Sequence, residues 1–244
     1  RYFRDLKATV ERALEVARKG VPGPVFVECP IDLLYDEKLV RDWYVSSSGK
    51  KDARKNIPEA ALHWYLGRHV DRMFESEGGA QPNLPRELPE VPMGPLVAQA
   101  KRLIERAQRP VLLVGSQAVW RAAEVDQVAT AVESLGMPTY LASMARGLLG
   151  PNSSIQRRHK RRAALKGADL VLLAGVPADF RLEYGRAIGK SAKVISMNLS
   201  VTQLFKNKVP SLPVPVDPGR FLVQLARAVH KPAGHWAAWH EETR

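Results

Sequence analysis

The 244-residue chain has almost no cysteine and lacks several common functional motifs. Cys29 is its single cysteine, so an internal disulfide framework is excluded, and its position before Pro30 is typical of a small core residue. No apolar run approaches the ~20 residues that a membrane-spanning helix needs. The Walker A sequence, the G-x-S-x-G nucleophile elbow and the G-x-G-x-x-G fingerprint are missing, and no histidine has metal-ligand spacing with an acidic partner. We therefore expect no catalytic residue and no metal site within this chain.

Positive charge, by contrast, is in excess. Lysine and arginine number 37 against 25 aspartates and glutamates, a net charge of +12. Five of these cations lie in the segment Arg157-Arg158-His159-Lys160-Arg161-Arg162, which leads into a predicted helix ending at Gly167. The segment has three interpretations: a solvated helix face, a site for anions or an acidic partner, or a nucleic-acid surface. No zinc spacing, RNA-binding aromatic signature or helix-turn-helix pattern supports the third, so nucleic acid is not an expected partner.

Helices and apolar strands alternate from Gly94 to His230. The predicted helices are Leu96–Ala107, about Ala122–Leu135, a basic helix ending near Lys166, Thr202–Phe205 and Phe221–His230. The predicted strands are Val111–Val114, Thr139–Ala142, Leu170–Ala174, Val194–Met197 and Leu212–Val216. Such alternation is typical of parallel crossover units, and it predicts an α/β fold with a doubly wound parallel sheet over residues 94–230.

The chain before Gly94 has a different pattern. An amphipathic helix over Asp5–Lys19 and a short strand over Val25–Cys29 predict the end of an incomplete α/β domain, residues 1–35. Residues 36–93 are predicted to be a connector with one helix, Pro58–Phe74, between loop compositions at residues 46–51 and 77–83.

Both ends of the chain also carry an expectation. Residues 231–244 are predicted to begin a further linker. There, His235 and His240 lie close in sequence to Trp236 and Trp239, and we expect them to have a structural or interfacial role. The start, Arg1-Tyr2-Phe3-Arg4, lacks an initiator methionine and a signal-peptide core, so we expect a piece of a longer protein.

Glycines and arginines follow three of the predicted strands. Gly115-Ser116 follows the first strand, Met144-Ala145-Arg146-Gly147 the second, and Gly175 and Arg181 the third. The carboxyl edge of such a sheet is where nucleotide-like ligands bind, since glycine lets a ligand approach the backbone and arginine can hold a diphosphate with two hydrogen bonds. A plain strand-to-helix turn at Gly115 remains an alternative, as do a surface arginine or an ion pair of Arg181 with Asp179 or Glu183.

Five segments, in this order, resemble thiamine diphosphate enzymes of the acetolactate synthase type. They are Gly20–Asp32, Arg109–Gly115, Gly136–Pro138 with Met144–Gly150, Ala168–Gly175 and Asp179–Arg181. The first resembles the end of the family's N-terminal, pyrimidine-binding domain, and the other four resemble its central domain. The resemblance implies an enzyme that depends on thiamine diphosphate and magnesium and either cleaves 2-hydroxyacyl-CoA or joins 2-oxo acids.

The same resemblance implies a three-domain subunit in a homo-oligomer, in which the first domain supplies a glutamate and the third a Gly-Asp-Gly…Asn motif for magnesium and the diphosphate. Neither occurs in this chain, which implies no thiamine diphosphate activity for the chain alone. An animal branch of the family further implies attachment to the endoplasmic reticulum through an anchor that is not in this chain. A non-catalytic module that binds nucleotide, nucleic acid or a protein partner through its basic face is the alternative.

In the resembling enzymes the central domain binds the adenine-nucleotide part of FAD, of ADP or of coenzyme A. That implies a set of ligand-lining residues here: Gly115, Ser116, Met144, Arg146, Gly147, Gly175 and Arg181. The chain departs from the family pattern at Asn198, where an acidic residue that can bind ribose is usual, and at Val216, where glycine is usual. The basic segment could instead attract the phosphates of coenzyme A.

Overall fold

The fold is described from a computed structural model that covers residues 2–47, 57–76, 88–230 and 236–244. The chain divides into two compact units, Arg1–Leu88 and Pro89–Arg244. None of the helices in these described ranges is long and apolar enough to cross a membrane.

The second unit contains a six-stranded parallel sheet in the order β3-β2-β1-β4-β5-β6. Its strands are β1 (Pro110–Val114), β2 (Thr139–Leu141), β3 (Gln156–Arg157), β4 (Leu170–Ala174), β5 (Lys193–Met197) and β6 (Leu212–Val214). The chain runs from the centre to one edge and then from the centre to the other, so the order reverses between β1 and β4. The predicted doubly wound α/β sheet is therefore confirmed.

The helices of this unit are amphipathic and cover the sheet. They are α4 (Met93–Arg106), α5 (Val125–Leu135), α6 (Arg161–Gly167), α7 (Val201–Leu204), α8 (Pro218–Ala228) and α9 (Ala237–Glu242). All five positions of β1 and of β4 are buried, as continuous apolar runs in a sheet covered on both faces require. Helix α8 packs against α4 and α5 and buries Phe221, Leu222 and Leu225 in the core.

One strand and one α-helix of the second unit were not predicted. Strand β3 lies in the basic segment, so Arg157 is part of the sheet and only Arg161 and Arg162 begin the helix α6. Helix α9 lies in the tail, which was predicted to begin a linker; Trp236 and Trp239 are buried there. His240 makes hydrogen bonds within this unit, and His235 lies outside the described residues.

The first unit contains α1 (Leu6–Arg18), α2 (Glu37–Ser47) and α3 (Ile57–Phe74). Helices α2 and α3 pack together, and Leu33, Val40, Val70 and Met73 form a small core. The helices predicted over Asp5–Lys19 and Pro58–Phe74 are confirmed within two residues, whereas α2 was not predicted.

The strand predicted over Val25–Cys29 is wrong. The segment is irregular in structure, and the side chain of Phe26 is 88% exposed. A strand needs a second backbone to pair with, and none of the described residues pairs with this one. The predicted loop at residues 46–51 is wrong for its first two residues, which end α2, while residues 48–51 and 77–83 lie outside the described ranges.

Candidate functional site

The turns after β1 and β4 meet at the point where the strand order reverses. Gly115 donates its backbone N–H to Ala174 O (2.9 Å), and Gly175 donates to Met197 O (2.9 Å). In open α/β sheets this point, beyond the carboxyl ends of the strands, is the usual place for a ligand.

Gly115 and Gly175 allow these two turns to approach each other closely. A Cβ on Gly115 would lie 2.6 Å from Val176 Cγ2 and 2.8 Å from Gly175 O. A Cβ on Gly175, whose φ is +69°, would lie 2.8 Å from Gln117 Cβ and 2.9 Å from the backbone nitrogen of Ala118. Both glycines therefore have a packing role.

A small cavity of about 100 Å³ remains between these turns. It is lined by Gly115, Ser116, Ala142, Ser143, Gly175, Val176, Pro177 and Arg181. Ser116 Oγ accepts a hydrogen bond from the backbone N–H of Met144 (3.4 Å), and Ser143 Oγ accepts one from Arg181 Nη1 (3.2 Å). Four of the seven predicted ligand-lining residues are thus brought together here, and we call this space the switch-point cavity.

Arg181 pairs with Asp179, the first of its two predicted partners. Its Nε donates to Asp179 Oδ1 (3.1 Å) and its Nη2 to Asp179 Oδ2 (2.5 Å), and its backbone N–H also donates to Asp179 Oδ1 (3.0 Å). Burial alone would raise the pKa of Asp179, but the hydrogen bonds from Arg181 outweigh it and lower that pKa. The hydrogen bond to Asp179 raises the pKa of Arg181. Glu183 pairs instead with Arg162 (2.8 Å).

A larger cleft of about 890 Å³ lies beside β2 and β3. It is lined by Tyr140, Leu141, Arg146, Gly147, Gly150, Pro151, Gln156, Arg157, Arg158, Arg161 and Arg162. We call it the arginine cleft, because five of these residues are arginines and none is acidic. Arg146 and Gly147 belong to this cleft, so the predicted ligand-lining residues are divided between two neighbouring sites.

Arg146 and Met144 lie on the turn that follows β2. Arg146 is exposed and forms no ion pair with any residue that the structure describes, so its guanidinium is available to a ligand of the arginine cleft. Met144 is 72% exposed, and it is tied to the switch-point cavity by its backbone N–H alone.

Arg157, the first cation of the basic segment, lies in the cleft wall, and its burial was not predicted. Arg157 is 7% exposed. A solvated helix face was one interpretation of the basic segment, and that interpretation is wrong for this residue. Burial, and to a lesser degree the nearby charge of Arg244, lower the pKa of Arg157. Its partners at His240 and Thr243 are more than 80 residues away in sequence, so no local motif could have indicated this environment.

Arg161 and Arg162 join the cleft to the loop after β4. Arg161 Nη2 donates to the backbone oxygen of Arg181 (3.0 Å), and Arg162 forms the ion pair with Glu183. That loop has two consecutive non-glycine residues with positive φ, Glu183 (51°) and Tyr184 (55°). The left-handed conformation costs about 1–2 kcal/mol at each of these two residues, and the contacts around the loop hold it in place.

The two positions that depart from the family pattern both have local structural roles. The Asn198 side chain is buried after β5, where its Oδ1 accepts from the backbone N–H of Ser200 (2.9 Å). Val216 precedes Asp217, whose Oδ1 accepts from Arg220 N (3.1 Å) and so begins α8. Neither position presents an acidic side chain toward the switch-point cavity.

Comparison with known proteins shows the family of this chain. Residues 97–225 match the family described as "Thiamine pyrophosphate enzyme, central domain". The chain is 40% identical over 248 residues to 2-hydroxyacyl-CoA lyase 2 of Danio rerio, covering 97% of this chain and 38% of that protein. It is 36% identical to 2-hydroxyacyl-CoA lyase 2 of Homo sapiens (100% and 39% covered) and 35% identical to the acetolactate synthase large subunit IlvG of Mycobacterium tuberculosis (52% and 23% covered).

A solved structure described as "a putative thiamin diphosphate-dependent enzyme isolated from Mycobacterium smegmatis" has the same fold. Its TM-score is 0.54 at 17% sequence identity, over 96% of this chain and 39% of that chain. The chain therefore belongs to the thiamine pyrophosphate enzymes and contains their central domain. It spans about two fifths of the length of the 2-hydroxyacyl-CoA lyase 2 proteins that it matches.

The residues described here do not fit a site for magnesium and thiamine diphosphate. No group of three histidine, cysteine, aspartate or glutamate side chains comes together in the described ranges. Magnesium in such a site needs carboxylate oxygens that share the ion with the diphosphate, and the sequence contains no Gly-Asp-Gly.

Proposed function

We propose that this domain belongs to an enzyme that uses thiamine diphosphate and magnesium to cleave 2-hydroxyacyl-CoA, with the joining of 2-oxo acids as the second candidate reaction. Its own contribution is structural spacing and a site for the phosphate-bearing nucleotide part of coenzyme A. The names of the relatives at 36–40% identity support the coenzyme A substrate, and the arginine cleft is the observation that carries the binding role.

The chemistry of the arginine cleft suits coenzyme A. That molecule carries a diphosphate and a separate 3′-phosphate, and guanidinium groups bind phosphate oxygens in pairs. Five arginines line the cleft with no acidic lining residue, and although Arg162 pairs with Glu183, the remaining guanidinium groups give the cleft a positive potential. Its volume of about 890 Å³ lies in the range of about 300–1,000 Å³ that small-molecule sites usually have.

FAD and ADP are the other ligands that we consider, because they share the diphosphate with coenzyme A. Residues of both sites, Ser116 and Arg181 in the switch-point cavity and Arg146 in the arginine cleft, would contact such a nucleotide. Denaturing the purified chain and measuring the supernatant by absorbance and mass spectrometry identifies a retained nucleotide. A flavin spectrum would favour FAD, and a mass of coenzyme A would favour the acyl-CoA proposal.

The binding role is tested by titrating coenzyme A into the 244-residue chain in a calorimeter. Arg146→Glu reverses a charge in the arginine cleft without removing an internal ion pair, and we expect the Kd to rise at least about tenfold, as loss of a charge-assisted contact implies. Arg102→Glu makes the same charge change on the exposed face of α4 and serves as the matched control. Equal affinity in the wild type and Arg146→Glu would refute the assignment of the cleft.

The role in a larger enzyme is tested by the mass of the endogenous protein, measured by immunoblot or intact mass spectrometry. A product at least about twice the 27.1 kDa of this chain is expected for a subunit with further domains. Such a product should form homo-oligomers and should need both thiamine diphosphate and magnesium for activity. A product near 27.1 kDa would favour the non-catalytic module.

A further inference from the structure

Arg157 is a buried cation with an unusual set of partners. Its Nε donates to Thr243 Oγ1 (3.2 Å), and its Nη1 donates to the backbone oxygens of Ser154 (2.8 Å) and Gln156 (3.1 Å). Its Nη2 donates to His240 Nδ1 (2.7 Å) and to His240 O (3.1 Å). A guanidinium has five N–H groups, and these five acceptors match them in number.

All five acceptors are uncharged. No carboxylate of the described ranges forms an ion pair with Arg157. The charge of Glu241 acts on Arg157 without direct contact, and Glu241 itself pairs with Arg244 (2.9 Å). A buried charge with no directly paired opposite charge is costly, and in some proteins such groups are retained at functional sites. Since Arg157 lines the arginine cleft, the opposite charge is supplied when an anion enters the cleft. Because its N–H groups are occupied, Arg157 acts on that anion through its charge and not through a direct hydrogen bond.

Helix α9 contacts Arg157 in the wall of the cleft, and hydrogen bonds from two tryptophan indoles join this end of the chain to the segment before β1 and to its first residue. Trp236 Nε1 donates to Ala107 O (2.9 Å), and Trp239 Nε1 donates to Pro110 O (2.9 Å). The His240 ring lies between Arg157 and the backbone oxygen of Gly136, which is 2.9 Å from Nε2. A guanidinium cannot accept a hydrogen bond, so Nδ1 must be the acceptor and Nε2 must carry the proton.

We propose that His240 and Thr243 are positioning residues of the anion site, acting through Arg157. They fix the direction of its guanidinium by accepting from Nε and Nη2, and they keep its charge at the cleft. This inference rests on the proposed anion-binding role of the cleft. It assigns a share of the cleft's affinity to the C-terminal helix α9, which contributes no residue to the lining of the cleft.

The first test is the affinity of coenzyme A, with inorganic pyrophosphate as a second probe, measured by calorimetry on the 244-residue chain. Thr243→Val and His240→Leu remove acceptors of Arg157, and we expect the Kd to rise at least about fivefold for each. His240→Asn keeps an oxygen acceptor near the position of Nδ1 and should restore most of the affinity. Glu242, like His240, lies on α9, and it forms a surface ion pair with Arg109. Glu242→Gln breaks that ion pair and should leave the affinity within about twofold.

A second readout does not depend on any ligand. The Nε–H resonance of Arg157 in a nitrogen-15 spectrum, identified by its loss in Arg157→Lys, should exchange slowly with water in the wild type. In Thr243→Val the same group should exchange faster, whereas in Glu242→Gln it should not change. Thermal unfolding of each variant shows whether the helix has been lost altogether.

The outcomes separate this inference from the proposed function. Unchanged exchange and unchanged affinity in Thr243→Val and His240→Leu would overturn the positioning role while coenzyme A binding stands. Equal weakening by Glu242→Gln would also overturn it, because docking of α9 would then be the whole effect. Pyrophosphate binding that depends on Thr243, without any binding of coenzyme A, would keep the positioning role and refute the acyl-CoA proposal. No binding of either probe by the wild type would overturn both.

Discussion

Replacing Gly175 by alanine is expected to destabilise the second unit strongly. Two separate costs arise at this position. The φ of +69° places an L side chain in the left-handed region, and the new Cβ would lie 2.9 Å from the backbone nitrogen of Ala118 and 2.8 Å from Gln117 Cβ. A backbone atom cannot swing aside as the end of a long side chain can, so the turn after β1 must move.

The two costs are worth about 2–5 kcal/mol together. The left-handed conformation contributes about 1–2 kcal/mol and overpacking about 1–3 kcal/mol. Unfolding free energies of whole domains are about 5–15 kcal/mol, so the change is a large fraction of the total. For a unit of this size each kcal/mol lowers the Tm by about 2–4 °C, and we expect a decrease of about 4–20 °C.

Gly147 provides the matched control for this substitution. Its φ is also positive (+92°), but a Cβ there would meet no atom within 4 Å. Gly147→Ala therefore carries the backbone cost without the clash, and its Tm should fall by less than half as much. Thermal unfolding followed by circular dichroism gives both values. If the two variants lost the same stability, the close approach of the turns after β1 and β4 would not be what requires glycine at Gly175.

Two further variants test the charges of the second unit. Asp179→Asn should make unfolding less sensitive to acid, because pairing with Arg181 lowers the pKa of Asp179 in the folded state. The stabilisation from this pair is present above the unfolded pKa of about 3.9 and is lost as pH falls through the lower folded pKa. Urea unfolding at a series of pH values measures this, with the exposed Asp126→Asn as control; an unchanged acid limb in Asp179→Asn would contradict it. Asp217→Ala should cost about 2–4 kcal/mol of unfolding free energy, since this buried carboxylate begins α8 and accepts from Trp120 Nε1 (2.9 Å). Asp217→Asn keeps an oxygen acceptor for these hydrogen bonds and should cost less than half as much in the same urea titration, and equal losses would contradict the importance of those hydrogen bonds.

The fold of the second unit could be predicted because its signals are local. Continuous apolar pentapeptides such as Leu170–Ala174 mark strands buried on both faces, and amphipathic segments between them mark crossover helices. The glycines and arginines predicted to follow the strands do lie beyond their carboxyl ends, whereas ligand binding at that edge stays a prediction. What local pattern could not show is how the turns at that edge pack, and that packing divides the predicted residues between two sites.

The first unit shows the limit of the same reasoning. Val25–Cys29 has the composition of a strand, but a strand exists only where another backbone pairs with it, and local composition says nothing about that partner. Arg157 shows a related limit. A cation within a basic run is usually solvated, and only contacts with residues more than 80 positions away bury this one.

The position of the arginine cleft follows from how the switch point is closed. Where the order of strands reverses, the turns after β1 and β4 normally leave a crevice for a ligand. Here Gly115 and Gly175 bring those turns into contact, and the ion pair of Arg181 with Asp179 occupies a guanidinium that would otherwise face the crevice, so only about 100 Å³ remains. The open volume, the exposed Arg146 and the buried charge of Arg157 all lie one strand further out, beside β2 and β3. If the proposed binding role holds, a nucleotide places its phosphates in the arginine cleft, beside Arg146 and Gly147 of the turn after β2.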